Sequence, residues 1–414
     1  MLLANPRAVR TAYPQALRDI MSVQGAQQSR EWLSHWSGLN HGATPLIELP
    51  DLAVKLGVGS IRVKDESVRS PLASFKVLGA PIALVRLILR LNAGQALDPI
   101  DVFAGRHAEQ LGEITVISAT DGNHGRALAA AARSVGRACV IVLHGKVSAE
   151  REQAIAAFGA RIVRIAGNYD ESVAEAQRLA VANQWHVVSD TSYEGYEEIP
   201  RDVMQGYGTI VAEVEEQCAA RPGGPCPFTH VFLQGGVGGM PAAIASYFWE
   251  VYGERRPRFV VVEPEQADCL LQSARLGRAA KATGSVDSVM AGLACGETSP
   301  LAWRFLEASV DLFITVTDDA AVAAMRLLAA GSGRDMPVVS GESGAAGLAG
   351  LIALRAEAAE AAACALNGES RVLLINTEGA TAPALYESLV GESASSVLRR
   401  QREWIKARPR QTLS

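Results

Sequence analysis

His230-Val-Phe-Leu-Gln-Gly-Gly-Val-Gly-Gly-Met240 joins a short apolar run to five residues that are nearly all glycine, and then to a long apolar segment. The run from His230 to Leu233 has the length of a buried strand, and Met240 to Val251 has the length of a helix. Gly235, Gly236, Val237, Gly238 and Gly239 therefore fall on a strand-to-helix turn. Backbone amides at such a turn converge at the positive end of the helix dipole, where a phosphate can be held. Glycine allows the backbone to take the required φ and to approach the anion closely. The spacing is not GxGxxG, so a dinucleotide turn is not matched. A tight turn with no ligand is the plain alternative.

The same rhythm extends in both directions. Ile61–Lys64 alternates as a strand and is followed by a helix expected over Val77–Leu91. Residues 92–112 have no clear period and read as an insertion. Then come strand Ile114–Ser118, helix Gly125–Val135, strand Ala138–Leu143 and helix Ser148–Phe158, with Ser148 as its cap. Arg161–Ile165, a helix after Asp170, and His186–Ser189 continue the series. Pro222-Gly-Gly-Pro225 punctuates the chain before the pattern restarts with strand Arg258–Glu263, a helix around Ala320–Ala330, one helix over Gly344–Ala363 and strand Arg371–Asn376. Residues 1–45 read as irregular, with Trp32 and Trp36 at helical spacing, and the arginines from Arg399 onward read as a solvated face. Short apolar runs alternating with helices imply α/β architecture, with open, mostly parallel sheets covered by helices on both faces.

The 414 residues suit two or three domains. With 49% hydrophobic and 20% charged residues, the composition is that of a globular enzyme rather than a disordered chain. A formal net charge of -5 argues against a nucleic-acid partner. No apolar run has the length of a membrane span, and the run Leu78–Leu91 is broken by Arg86 and Arg90, so no membrane partner is expected. The first residues lack a hydrophobic secretory core, so a cytoplasmic location is expected. Six cysteines without a CxxC pair make structural zinc and other metal sites unexpected, and Cys269 and Cys295 lie in loops able to meet.

Two further stretches carry chemistry. In Leu72-Ala-Ser-Phe-Lys76, Lys76 stands between an aromatic and an apolar turn. On a surface it would be an ordinary solvated lysine. Desolvated, its amine would lose a proton more readily and attack a carbonyl or the aldehyde of pyridoxal phosphate. Ala119-Thr120-Asp121-Gly122-Asn123-His124-Gly125 is a second strand-to-helix turn. Its amides could hold a substrate carboxylate and Asn123 a ring hydroxyl, while His124 reads as a buttress of the loop.

Ser74-Phe-Lys76, Asp121-Gly-Asn-His-Gly125 and Gly235-Gly-Val-Gly-Gly239, in that order, resemble the fold-type II pyridoxal-phosphate enzymes. The likeness is closer to one branch, the diaminopropionate ammonia-lyases. Ala119–Arg126, Ser189-Asp-Thr191, Tyr193-Glu-Gly-Tyr196, Val262-Glu-Pro264, Met290–Glu297, Ser340–Ala345 and Asn376-Thr-Glu-Gly379 carry it, from about residue 60 to 385. The resemblance implies a large cofactor-binding domain from 1–85 and 205–414, a smaller domain from 86–204, and an active site in the cleft between them. It implies that Lys76 forms the Schiff base with pyridoxal 5'-phosphate, that Asn123 meets the ring oxygen, and that Gly235 to Gly239 cup the phosphate. Glu342 and Asn376 or Thr377 fall where the family places groups near the pyridine nitrogen. Ser74, Ala119, Thr120, Asp121 and Asp190 fall along the substrate. Two departures stand out: Ala73-Ser74 precedes Phe75-Lys76 where the branch often has Asn-Ala, and Gly379-Ala-Thr-Ala382 replaces a Gly-Asp-Thr-Asp stretch.

Asp121 favours the branch on physical grounds, because threonine dehydratases carry a serine there. Two like charges about 4 Å apart repel by roughly 1 to 4 kcal/mol, depending on the effective dielectric. A simple amino acid would feel that repulsion through its carboxylate, whereas a substrate with a β-ammonium would be attracted. The expected reaction is loss of ammonia from D- or L-2,3-diaminopropionate to give pyruvate, with Lys76 and Asp121 serving opposite faces and Asp190 as a further carboxylate. A serine or threonine dehydratase, or another lyase of β-substituted alanines, is the alternative. The resemblance also implies a small amino-acid substrate and a homodimer.

Overall fold

A computed structural model describes residues 1–408 apart from Asp121 and Pro222. Its strands are β1 (Leu2–Ala4), β2 (Leu46–Glu48), β3 (Ser60–Asp65), β4 (Thr115–Ala119), β5 (Ala138–Leu143), β6 (Arg161–Arg164), β7 (His186–Val187), β8 (His230–Gln234), β9 (Arg258–Pro264), β10 (Leu312–Val316) and β11 (Arg371–Asn376). They form a seven-stranded sheet, β1-β10-β9-β8-β11-β3-β2, and a four-stranded sheet, β6-β5-β4-β7. Only the edge strands β1 and β2 run antiparallel. The interior strands β8, β10 and most of β9 and β11 are buried on both faces, as a parallel sheet between helical layers requires.

The chain divides into two compact units: 1–23, 43–68 and 210–414 in the first, and 24–42 and 69–209 in the second. The glycine run lies in the first unit, and Lys76 lies in the second with the Asn123 loop. In each sheet the strand order reverses once, and the loops that leave the carboxyl ends of the strands flanking that reversal are where ligands bind in open α/β sheets. In the first unit the reversal lies between β8 and β11, so Gln234–Gly239 and Asn376–Gly379 emerge together. In the second it lies between β4 and β7, bringing Thr120, Gly122 and Asn123 alongside Val188–Asp190.

Several elements differ from the periodicity, each for a local reason. The helix expected from Val77 is a 3-10 turn, Phe75–Leu78, followed by helix Ala80–Leu91; Pro81, which lacks an N–H, fits the new first turn. The 92–112 stretch contains helix Pro99–Phe103, capped by Asp98. The helix over Gly344–Ala363 is broken at Glu357 into Ala346–Ala356 and Ala358–Ala363. The strand His186–Ser189 stops at Val187, because the Tyr196 hydroxyl takes the Ser189 amide at 2.9 Å. Residues 1–45 supply β1 and helix Val23–Ser34. Trp36 is a core anchor, 3% exposed and bonded to Ser134, whereas Trp32 lies under the Arg86 guanidinium. At the other end Arg400 bonds the carbonyls of Ala329 and Ala330, so this arginine is a tether rather than part of a solvated face. No helix among the described residues is long and apolar enough to cross a membrane.

Candidate active site

In the second unit Lys76 sits on the 3-10 turn that Ser74 caps, the Ser74 hydroxyl accepting the Lys76 amide at 3.4 Å. Ala73, just before the cap, has φ +53°, a left-handed conformation unusual for alanine. That strained step turns the chain so that the lysine points inward. Its ammonium donates to Asp190 Oδ2 at 2.5 Å and lies 5.2 and 5.9 Å from the ring centroids of Phe75 and Tyr207. The two rings pack at 4.7 Å.

Asp190 is held from behind. Tyr196 accepts from Ser189 N and donates to Val187 O, both at 2.9 Å, pinning the turn that ends in Asp190. Burial alone would raise the Asp190 pKa. The charge of Lys76, with its hydrogen bond, outweighs that penalty and holds the carboxyl well below the usual range. His124 Nε2 lies 2.9 Å from the Val188 carbonyl, which can only accept, so Nε2 carries the proton. Burial, reinforced by the Lys76 cation and opposed by Asp190, lowers the His124 pKa and favours the neutral ring. Its Nδ1 then presents a lone pair toward Asp190 at 3.9 Å, and the ring supports the loop without donating to the carboxylate.

The turn after β4 is stapled by Thr120. Its Oγ1 accepts the amides of Gly122 and Gly125 at 3.1 and 3.2 Å. A side chain at Gly125 would meet Thr120 Cγ2 at 2.3 Å, which explains the glycine. Ala119 ends β4, and Asn123 opens helix Asn123–Ser134. Asp121 lies outside the described residues.

In the first unit the glycine run opens helix Gly239–Tyr252. Gly236 and Gly238 have φ +61° and +102°, accessible to glycine at little cost. Gly235 donates to Val262 O at 2.8 Å, and a Cβ there would fall 2.6 Å from Glu263 Cγ. Val237 accepts from Ser299 N, and Cys269 Sγ donates to Gly236 O at 3.4 Å. Cys269 and Cys295 are not joined by a disulfide, and Cys295 also lies beside Gly236.

Around β11, Asn376 spends both amide hydrogens, on Asp65 Oδ1 and Val339 O at 2.8 and 2.9 Å. Its Oδ1 has no hydrogen-bond partner among the described residues. Thr377, the next residue, and Glu342, on a separate loop, are buried, 3% and 1% exposed. Glu263 accepts from Leu270 N and Leu271 N at 2.8 Å each and is pushed up to about 8 by burial.

A phosphate and an aldehyde fit these residues. The glycine turn is an anion cradle at the start of a 14-residue helix, where added side chains would collide with the loop's own support. The lysine amine is partly withdrawn from water beside an ionised carboxylate. The periodicity did not reveal Tyr207, whose signal is its place on the buried face of helix Glu198–Tyr207. Nor did it reveal the roles of Tyr196 and Glu263, which need the tertiary structure.

Comparison with known proteins agrees. A family model described as pyridoxal-phosphate dependent enzyme matches residues 38–378. The chain is 38% identical to diaminopropionate ammonia-lyase of Escherichia coli K12, over 91% of this chain and 94% of that relative. Identity to the Salmonella typhimurium enzyme of the same description is also 38%, over 86% and 90%. The holo crystal structure of the Escherichia coli protein superposes with a TM-score of 0.84 at 35% identity, covering 94% of this chain and 96% of that one. The same protein in complex with an aminoacrylate-PLP azomethine reaction intermediate gives 0.83.

Proposed function

The chain belongs to the pyridoxal-phosphate dependent enzymes and, among them, to the diaminopropionate ammonia-lyases; from that premise we propose that it removes ammonia from 2,3-diaminopropionate, leaving pyruvate and a second ammonia after hydrolysis. The observation that carries the reading is the Lys76 amine, 2.5 Å from Asp190 and flanked by Phe75 and Tyr207. When bound, pyridoxal phosphate supplies an electron sink for the carbon that loses its α-proton.

The protein's own residues do the rest. Lys76 Nζ holds the cofactor aldehyde, and the amides of Gly235 to Gly239 hold its phosphate. Once displaced by the substrate amine, Lys76 Nζ is the base that takes the α-proton from one face. Asp121 is assigned the opposite face, which would admit both enantiomers. Asp190 keeps the lysine proton within reach and, with Lys76, returns it to the departing β-amine. Thr120 shapes the turn for the substrate carboxylate, between Ala119 and Asn123, and Ser74 fixes the lysine turn while its own hydroxyl hydrogen remains available. Asn123 is assigned to the ring oxygen. With the Asn376 donors already spent on Asp65 and Val339, the Thr377 hydroxyl is the better donor for the pyridine nitrogen, with Glu342 beside it in the same assignment. Family membership further supports a homodimer in the cytoplasm, which sedimentation and cell fractionation would check.

Borohydride reduction followed by peptide mapping tests cofactor and lysine together. A stable adduct on the peptide containing Lys76, with pyruvate released faster from diaminopropionate than from L-serine, is expected. An adduct elsewhere overturns the lysine assignment, and faster turnover of L-serine overturns the substrate.

A further inference from the structure

The first unit carries a second basic feature at the opposite end of the same strands. A cavity of about 340 Å³ opens where β8, β9 and β11 begin, and Arg10, Arg255, Arg256, Arg258 and Arg371 line it with Glu254. That volume is within the range of small-ligand sites. β8, β9 and β11 are hydrogen-bonded neighbours, so Arg258 and Arg371 start strands on either side of His230. The glycine turn leaves the far end of β8, roughly 13 Å away at the usual rise per residue.

Five arginines gather around this cavity with few carboxylates. Asp311, behind the wall, pairs with Arg10 at 2.5 Å and Arg256 at 3.0 Å, and stands 3.9 Å from Arg258. Counting Glu254 as well, three positive charges are left uncompensated. Arg255 donates to the Gly223 carbonyl, and Arg371 to those of Pro227 and Cys226; neither meets a carboxylate among the described residues. Arg256, whose side chain is fully buried, keeps its Nε without a partner among the described residues. Its burial, against the pull of Asp311 and with Arg10 and Arg258 close by, pushes it down to about 10. Like charges brought together in a partly enclosed space repel unless an anion joins them. Planar, multi-donor guanidiniums match phosphate oxygens in particular. Pro225, Phe228 and Pro257 add an apolar wall that would take the uncharged body of a ligand.

We propose that this cavity binds a small phosphate-bearing anion, at a site separate from the glycine turn and independent of the reaction assigned above. Arg255, Arg258 and Arg371 hold the phosphate, and Arg10 and Arg256 supply the inner positive field. The test is calorimetric titration of the holoenzyme, whose glycine turn is already filled, with pyrophosphate, inorganic phosphate and malonate. Saturable binding of pyrophosphate is expected, weakened about tenfold or more in the Arg255→Gln/Arg371→Gln double variant, since each loses charge-assisted bonds. Glu254→Gln, which removes an opposing charge, should tighten binding. Turnover without added anion should be unchanged in all three proteins. No saturable heat up to about 10 mM, a range that still detects millimolar affinity, overturns the proposal. So does equal affinity in wild type and double variant. Malonate binding as tightly as pyrophosphate overturns the phosphate class.

Discussion

Two carboxylates, the half-buried Asp190 in one unit and the fully buried Glu263 in the other, meet opposite fates. Asp190 lies just past β7 and Glu263 near the end of β9. Burial raises the pKa of both. At Asp190 the Lys76 ammonium at 2.5 Å reverses the effect, and the group stays ionised. At Glu263 two backbone amides oppose burial without overcoming it, and Asp268 adds repulsion, so its pKa reaches about 8. Two amide donors do not keep the fully buried Glu263 charged, whereas a cation keeps the half-buried Asp190 so. The first carboxylate is therefore equipped to manage a proton beside an amine. The second is a clamp that ties helix Cys269–Leu276 under the glycine turn.

Removing the cation should have the largest effect. Lys76→Ala is expected to lower turnover on the order of 10⁴-fold or more, as for other nucleophile deletions, and to abolish the borohydride-stable adduct. Asp190→Asn comes next, with kcat down about 10²- to 10⁴-fold, the span of positioned acid–base groups. Glu263→Gln, by contrast, should leave kcat within about threefold in the folded protein, because no reacting atom is assigned to it. Stopped-flow and steady-state pyruvate assays separate the two carboxylates, and equal kcat losses at Asp190 and Glu263 would erase the distinction. Gly238→Ala should weaken cofactor binding roughly five- to thirtyfold, from the 1–2 kcal/mol cost of left-handed backbone for an L-residue. Its Cβ would also lie 3.0 Å from Leu306 Cδ1. Equilibrium dialysis of pyridoxal phosphate measures it.

The pH dependence of stability sharpens the contrast. Glu263 has a folded pKa of about 8 against a reference of 4.5, so the folded state holds a proton that the unfolded state releases between those values. Stability from this group is complete below about pH 4.5 and declines by at most about 1.4 kcal/mol per pH unit as pH rises toward 8. Asp190 in the cofactor-free protein has the opposite sign: its contribution is present above pH 3.8 and is lost on acidification through its lower folded value. Urea melts from pH 5 to 8 should show the decline in wild type and a flatter profile in Glu263→Gln, whatever fixed cost the substitution carries. An unchanged slope would mean that Glu263 is ionised throughout.

The parallel sheets were legible because β5, β8, β9 and β11 are continuous apolar runs, and the glycine turn because its composition admits few other uses. β10 is no less apolar, but Leu312–Val316 follows a helix whose apolar residues run into it, and no glycine or proline separates the two. The family motifs located Lys76 and Asp190, yet their pairing depends on tertiary structure: 114 residues separate them, and the strained φ of Ala73 has no signature in an alanine. Nor can a sequence reveal that Asn376 faces Asp65 and Val339, since an asparagine at a strand end has many possible partners.

Tyr196 offers the smallest and most selective probe of the Asp190 region. Its hydroxyl is the only part of the ring that touches the Val187 and Ser189 backbone through hydrogen bonds, at 2.9 Å to each. Tyr196→Phe keeps the stack on Tyr193, whose ring lies at 4.7 Å. It leaves one amide and one carbonyl to find other partners, costing about 1–3 kcal/mol if they stay buried. Because the freed turn leads directly into Asp190, the loss should also appear in catalysis, as a kcat reduced a few-fold, since Asp190 remains present but less well positioned. In a Tyr196→Phe/Asp190→Asn cycle the two effects should be non-additive, because the tyrosine acts through the carboxylate it positions. Additive effects would show that Tyr196 stabilises the turn without bearing on the acid, and the support attributed to it would end at Ser189.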